Sequence, residues 1–177
     1  MAIDFPNSPT LNQIFTDSGK TWTYDGEKWV STNLASLVGA KAYRSSNLSR
    51  ANNSFVNLSF NAQEYDTHAF FAPTSTDMTI PSGLDGYYLV QGSIEFAANA
   101  TGLREAGIQL NGTNLTYVFI PSAGSVFATI VNLSAIVYCV ATDVLTLDSY
   151  QNSGGALNIL GASVPSRTWF AITFLGA

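Results

Sequence analysis

The chain has 177 residues, a formal net charge of −5 and only 11% charged residues, against about 25% in ordinary soluble domains. Its seven Lys and Arg are scattered singly, so there is no basic stripe and the sequence argues against a nucleic-acid partner. No apolar run reaches the roughly 18 residues of a membrane-spanning helix, and the opening MAIDFPNSPT has none of the apolar stretch of a secretory signal, so no membrane association is expected. A single cysteine, Cys139 in AIVYCVA, cannot form an internal disulfide and reads as a small buried apolar residue. Hydrophobic residues make up 46% of the chain. A surface this poor in charge is coated with Asn, Ser, Thr and Gly, which occur throughout. Burial against other subunits would add to this, since obligate interfaces are depleted of charge at their centres.

Residues 1–32 form a first unit. FPNSPT is extended or turn, because each proline biases its predecessor away from helix. NQIFTD follows as a short strand. TWTYDGEKWVST reads as a hairpin turning at Asp25-Gly26. Trp22 and Tyr24, two apart, share one strand face, whereas Trp29 on the returning strand can join either face depending on register. A hairpin this small is marginal alone in water, so its large aromatics are expected to grip a neighbouring surface. Residues 33–42, NLASLVGAKA, read as a short helix or linker.

From residue 43 to 177 the pattern is strand after strand. In GYYLVQGSIEF, Tyr88, Val90, Gly92, Ile94 and Phe96 lie on one face, and Tyr87, Leu89, Gln91, Ser93 and Glu95 on the other. EAGIQLNGTNLTYVFI is a hairpin around Asn111-Gly112. VFATIVNLSAIVYCV is long enough for two strands or one bent one, and DVLTLDSYQ, ALNILGA and TWFAITFLG complete the set. Short strands punctuated by Gly, Pro and Asn, with no helical period, predict an all-β sandwich preceded by the small hairpin unit.

YDTHAFF, IPSGLDGYYLVQGSIEF, IQLNG, DVLTLDSYQNSGGALNIL and TWFAITFLGA, in that order, resemble the complement globular-head and TNF-like jelly roll. The resemblance covers about residues 43 to 177 and implies a ten-strand sandwich that assembles as a homotrimer. One departure is Thr142, in VATD, where that family has glycine. Separately, DFPNSPTLNQIFTDSGKTWTYDGEKWV resembles a small element recurring in structural proteins of tailed bacteriophages. Together the two resemblances imply a virion protein on the phage particle surface, made in the bacterial host cytoplasm.

Chemistry is hard to find. His68 is the only histidine, with Asp66 two positions away, but no G-x-S-x-G accompanies them. The acids are scattered, and no pair announces glycosidase chemistry. Glu64, Asp66, Asp143 and Asp148 could offer oxygens to calcium, yet no His/Cys cluster exists and solvated acids are the plainer reading. Tyr87, Tyr88, Tyr117 and Tyr138 could stack on sugars, although aromatics at alternating strand positions more often belong to a core or a subunit contact. The chain is thus expected to be no enzyme and to carry no catalytic residue, metal or cofactor.

The expected function is a trimeric capsid decoration, or cement, protein that binds the major capsid protein or another virion protein. Phe15, Trp22, Tyr24 and Trp29 are the expected virion anchors. Tyr65, Phe119, Tyr150, Phe170 and Phe174 are the expected trimer interface. A linker of about ten residues spans no more than ~35 Å, which holds the knob close to whatever the hairpin grips. The alternative is the head of a fibre or spike binding a host glycan, with a capsule-degrading enzyme third.

Overall fold

A computed structural model describes residues 3–31 and 37–177, which fall into two compact units dividing at residues 37 and 38. Part of the expected linker, residues 33–36, lies outside the described residues. Its end is not linker: Gly39–Tyr43 is a strand of the main sandwich.

In the first unit, β1 (Ile14–Asp17), β2 (Lys20–Tyr24) and β3 (Trp29–Ser31) form a three-stranded antiparallel sheet in sequence order. The turn after β2 is a four-residue loop rather than the two-residue Asp25-Gly26 turn expected, because Asp25 Oδ1 accepts hydrogen bonds from the backbone N–H groups of Glu27 and Lys28. Register settles the face of each aromatic. Phe15 lies opposite Trp22, and Tyr24 opposite Trp29. All four therefore share one side, and Phe5 from the extended segment lies against it. Phe5 stacks on Trp29 with centroids 5.4 Å apart and meets Trp22 edge-on at 5.4 Å. Phe15 completes the group within 6.0 Å of both tryptophans. The large aromatics thus pack on one another and leave Trp22 buried. This corrects the expectation of aromatics with no core of their own.

The second unit is a two-sheet sandwich. One sheet has the order β11-β10-β13-β6, with β8 also pairing β13; these strands are β6 (Val56–Asn57), β8 (Asp77–Thr79), β10 (Leu103–Leu110), β11 (Thr113–Pro121) and β13 (Val144–Gln151). The other has the order β5-β14-β9-β15-β4-β7, with β12 on the free side of β9. Its strands are β4 (Gly39–Tyr43), β5 (Leu48–Arg50), β7 (Ala62–Asp66), β9 (Gly86–Phe96), β12 (Thr129–Cys139), β14 (Leu157–Ile159) and β15 (Trp169–Gly176). Tyr88, Val90, Ile94 and Phe96 of β9 are all fully buried, as the alternation predicts. They meet Phe170 and Ile172 of β15, Ala106 and Ile108 of β10, and Leu145 and Leu147 of β13 in one core. Gly92 makes room there for Leu147, whose Cδ1 lies 2.7 Å from where a Cβ would sit.

Local chemistry explains the ends of these strands. Asn111 and Gly112 both have positive φ, 50° and 77°, as a type I′ hairpin between β10 and β11 requires. The turn before β13 keeps a left-handed residue at Thr142, φ 75°, where the resembling family has glycine. Asp143 closes that turn by accepting from the backbone N–H of Val140. Arg44, Arg50 and Arg104 donate to backbone carbonyls of Ser46 and Ser59, of Asn57, and of Asn99, Thr101 and Leu103 respectively. Arg104 is wholly buried, and desolvation lowers the pKa of all three. Cys139 is buried as expected, and its thiol is pushed up to about 11 by burial and then by Asp143.

Truncating Trp22 to alanine should empty the centre of the first unit at a cost of about 3 kcal/mol or more. We expect amide signals of residues 3–31 to collapse toward random-coil shifts while those of 38–177 stay dispersed. Retained dispersion in the first unit would contradict an aromatic core there.

Candidate functional site

Two outer faces of the sandwich carry the side chains that alternation turns away from the core. On the larger sheet, β12 and β9 present Tyr138 opposite Tyr87, Ile136 opposite Leu89, and Ile130 opposite Glu95. Tyr87 and Tyr138 meet edge-on at 5.2 Å. Ile136 is 66% exposed and Ile130 50%, an unusual exposure for isoleucines within a long strand. Across β9, Trp169 lies opposite Ser93 and carries the Lys41 ammonium 5.0 Å from its ring centre. The charges on this face are neutralised locally: Lys41 pairs with Glu64 and Arg167 with Glu95, each at 2.8 Å. The same face holds a hollow of about 320 Å³ lined by Gln91, Gly92, Asn132, Leu133, Ser134 and Trp169. The face is therefore apolar at the β12 edge, amide- and hydroxyl-rich at its centre, and without an unpaired charge among these residues. Beside that edge, Val126 and Phe127 in the connection from β11 to β12 are 77% and 70% exposed.

On the smaller sheet, Tyr150, Glu105 and Phe119 form one cross-strand row, and Asn57, Asp148, Gly107 and Tyr117 the next. Phe55 stacks on Tyr150 at 4.4 Å, and Tyr117 stacks along Phe119 at 6.2 Å. Burial raises the Asp148 pKa, partly offset by the backbone N–H groups of Asp148 and Gly107. Glu105 is raised by burial first and by the Asp148 charge second.

The expected interface residues do not form one surface. Tyr65 lies opposite Lys41 on the larger sheet's outer face, and Phe119 and Tyr150 lie on the outer face of the other sheet. Phe170 is fully buried, stacked on Phe60, so its side chain has no surface to offer a partner. Phe174 also turns inward, 5.2 Å from Tyr88. The inward positions of β15 are Phe170, Ile172 and Phe174, and its outward ones are Trp169, Ala171 and Thr173. The apolar surface at Ile130, Ile136 and Tyr138 was legible only as alternation, with nothing to say which half faces out. Of the expected anchors, Phe15, Trp22, Tyr24 and Trp29 are all in the internal cluster of the first unit. Ile14 and Val30, on the opposite side of that sheet, are exposed, as are Ile3 and Leu11 in the segment before it.

The acids with conceivable chemistry are engaged in local structure. Asp66 accepts backbone N–H bonds from His68, Phe70 and Phe71, closing a turn, and the His68 ring contacts Thr67 Oγ1 through Nδ1. Asp143 accepts from Asn111 Nδ2 as well as from Val140. Among the described residues, no three His, Cys, Asp or Glu side chains gather as a metal-binding group.

Among solved structures, residues of this chain superpose on three proteins of one architecture. Eiger TNF from S. frugiperda matches with a TM-score of 0.61 at 11% identity, over 79% of this chain and 93% of that one. The fold is a TNF/C1q-like jelly roll. Murine APRIL matches with a TM-score of 0.58 at 12% identity, over 78% of this chain and 99% of its own. The globular domain of zebrafish complement 1qA matches with a TM-score of 0.57 at 10% identity, over 78% and 98%. No family model matches the sequence, and no curated protein matches it.

The raised carboxylates of this jelly roll set a pH dependence. Their folded pKa values exceed the unfolded ones, so their contribution is fully present below the ordinary carboxylate range and is lost as pH rises through the folded values. Asp148→Asn should therefore raise Tm at pH 7, with the advantage over the wild type shrinking toward pH ~4. Thermal melts of both proteins at the two pH values test this, and a lower Tm for the variant at pH 7 would contradict it.

Proposed function

We propose that this chain is a homotrimeric structural protein of a tailed bacteriophage, a decoration protein that sits on the head and braces the shell. The observation that carries the assembly half of this reading is the outer face of β12 and β9. It combines exposed Ile130, Ile136, Tyr87 and Tyr138 with locally paired charges. Surfaces of that composition are covered in stable assemblies. The TNF/C1q-like fold is consistent with a trimer, and the exposed Val126 and Phe127 just before β12 offer a second apolar patch for a neighbour's face. Two different patches meeting head to tail make a ring if the rotation closes.

The virion half rests on the N-terminal resemblance to phage structural elements. Because Phe15, Trp22, Tyr24 and Trp29 are spent on the unit's own core, anchoring falls to the folded unit as a whole, with Ile14 and Val30 as its apolar contacts. No catalytic role is proposed: the Asp66 carboxylate closes a turn and is not aimed at the His68 ring. Recognition of a host glycan by a fibre head is the competing reading, favoured by the exposed Phe55–Tyr150 and Tyr117–Phe119 stacks.

Placing a charge in the apolar patch at the β12 edge separates assembly from folding. Ile136→Asp should keep the jelly roll folded and break the trimer, since truncating a central anchor of an interface costs about 2 kcal/mol or more. Cross-linking should then give monomer where the wild type gives trimer, and an unchanged trimer would contradict this interface. Copy number on purified particles separates the virion readings. Hundreds of copies support shell decoration, a few dozen or fewer support a fibre or spike, and none would refute both.

A further inference from the structure

Asn111-Gly112 is the only Asn-Gly pair in the chain, and such a pair carries a covalent chemistry of its own. The glycine backbone nitrogen can attack Cγ of the asparagine, because glycine has no Cβ to hinder the approach. A bond forms between Gly112 N and Asn111 Cγ and the Cγ–Nδ2 bond breaks. The glycine amide proton leaves with Nδ2 as ammonia. Water then opens the resulting succinimide ring at either carbonyl, giving aspartate or isoaspartate. The surroundings of the turn leave room for this. Asn111 and Gly112 are both exposed, and no atom beyond its chain neighbours lies within 4 Å of a Cβ placed on Gly112.

The reacting side chain is nevertheless held. Asn111 Nδ2 donates to Asp143 Oδ1 at 2.8 Å, and Asn111 Oδ1 accepts from the Val144 backbone N–H at 2.9 Å. The Asn111 backbone N–H donates to the Val144 carbonyl at 2.9 Å. Both ends of the carboxamide are thus fixed against the start of β13. Ring closure draws Cγ onto Gly112 N and expels Nδ2, so the bond to the charged Asp143 is lost outright. Hydrogen bonds to charged groups are the costlier ones to lose. The other oxygen of Asp143 accepts from the Val140 N–H and closes the turn that holds Thr142 at φ 75°. One carboxamide therefore ties two turns together.

We infer that Asn111 is a guarded deamidation site. Its contacts with Asp143 and Val144 keep it asparagine while the jelly roll is folded, and a deamidated turn cannot latch again. Aspartate at this position keeps an acceptor for Val144 but turns an oxygen toward Asp143 Oδ1, where a donor is needed. Two carboxylates at hydrogen-bond distance repel each other.

The test follows the full chain at mildly alkaline pH, folded and in denaturant, by peptide mapping that separates asparagine, aspartate and isoaspartate. Asn111 should convert about tenfold or more slowly in the folded chain, the factor expected when a charged hydrogen bond must first break. Asp143→Ala should speed conversion in the folded state. Equal rates in the folded and denatured wild type would overturn the guard, as would a folded Asp143→Ala chain that converts no faster. A second pair of variants does not depend on that one folding. Asn111→Asp should lower Tm at pH 7 by about 3 °C or more. The deficit should shrink toward pH ~4, as one of the two carboxylates takes up a proton. Adding Asp143→Asn should restore Tm, since the amide then stands on the other partner and still accepts from Val140. An unchanged Tm in Asn111→Asp would overturn the latch, as would a deficit that neither acid nor the second substitution relieves.

Discussion

The period-two alternation of β9 is the constraint on which the rest depends. One half of that strand, Tyr88, Val90, Ile94 and Phe96, is driven into the core by its apolar surface. The other half is thereby committed to the outside, whatever its chemistry. Because β12 pairs with β9 along its full length and in phase, the same commitment turns Ile130, Ile136 and Tyr138 outward. A one-residue slip would exchange the two sets and place Asn132 and Ser134 in the core, so the register is strongly specified. The exposed isoleucines are thus a direct consequence of the core rather than a local defect. With nearby charges already paired to each other, a second copy can cover the face without stranding an unpaired charge.

The first unit solves a different problem. It has too few residues for an ordinary core, and it compensates with the side chains that bury most area per residue. Phe5, Phe15, Trp22 and Trp29 form a contiguous group in tilted, edge-on and stacked geometries. That arrangement gives the three-stranded sheet an aromatic cluster of its own.

How much was legible from the sequence follows from how local each signal is. The Asn111-Gly112 hairpin and the β9 alternation depend on neighbours in the chain, and both are present in the structure. The β4 strand was read as linker because Gly39, Ala40 and Ala42 have little strand propensity. They are strand residues because they pair with β15 on one side and β7 on the other, and the close approach there explains the glycine, since a Cβ on Gly39 would collide with the carbonyl of Ile172. Phe170 was assigned to an interface because alternation alone cannot say which half of a strand is the core. Asp148 looked like a solvated acid, and only the pairing of β13 with β10 sets it over Gly107. The four-residue loop after Tyr24 differs from the Asp-Gly turn because the Asp25 carboxylate holds two further N–H groups.

Sedimentation equilibrium of the unmodified full chain at micromolar concentration bears most directly on the covered-face claim. The chain mass is 18.9 kDa, and three times that value, with no population at the single-chain mass, is the expected result. A solution species at the single-chain mass would contradict it, because Ile130, Ile136 and Tyr138 would then remain in water.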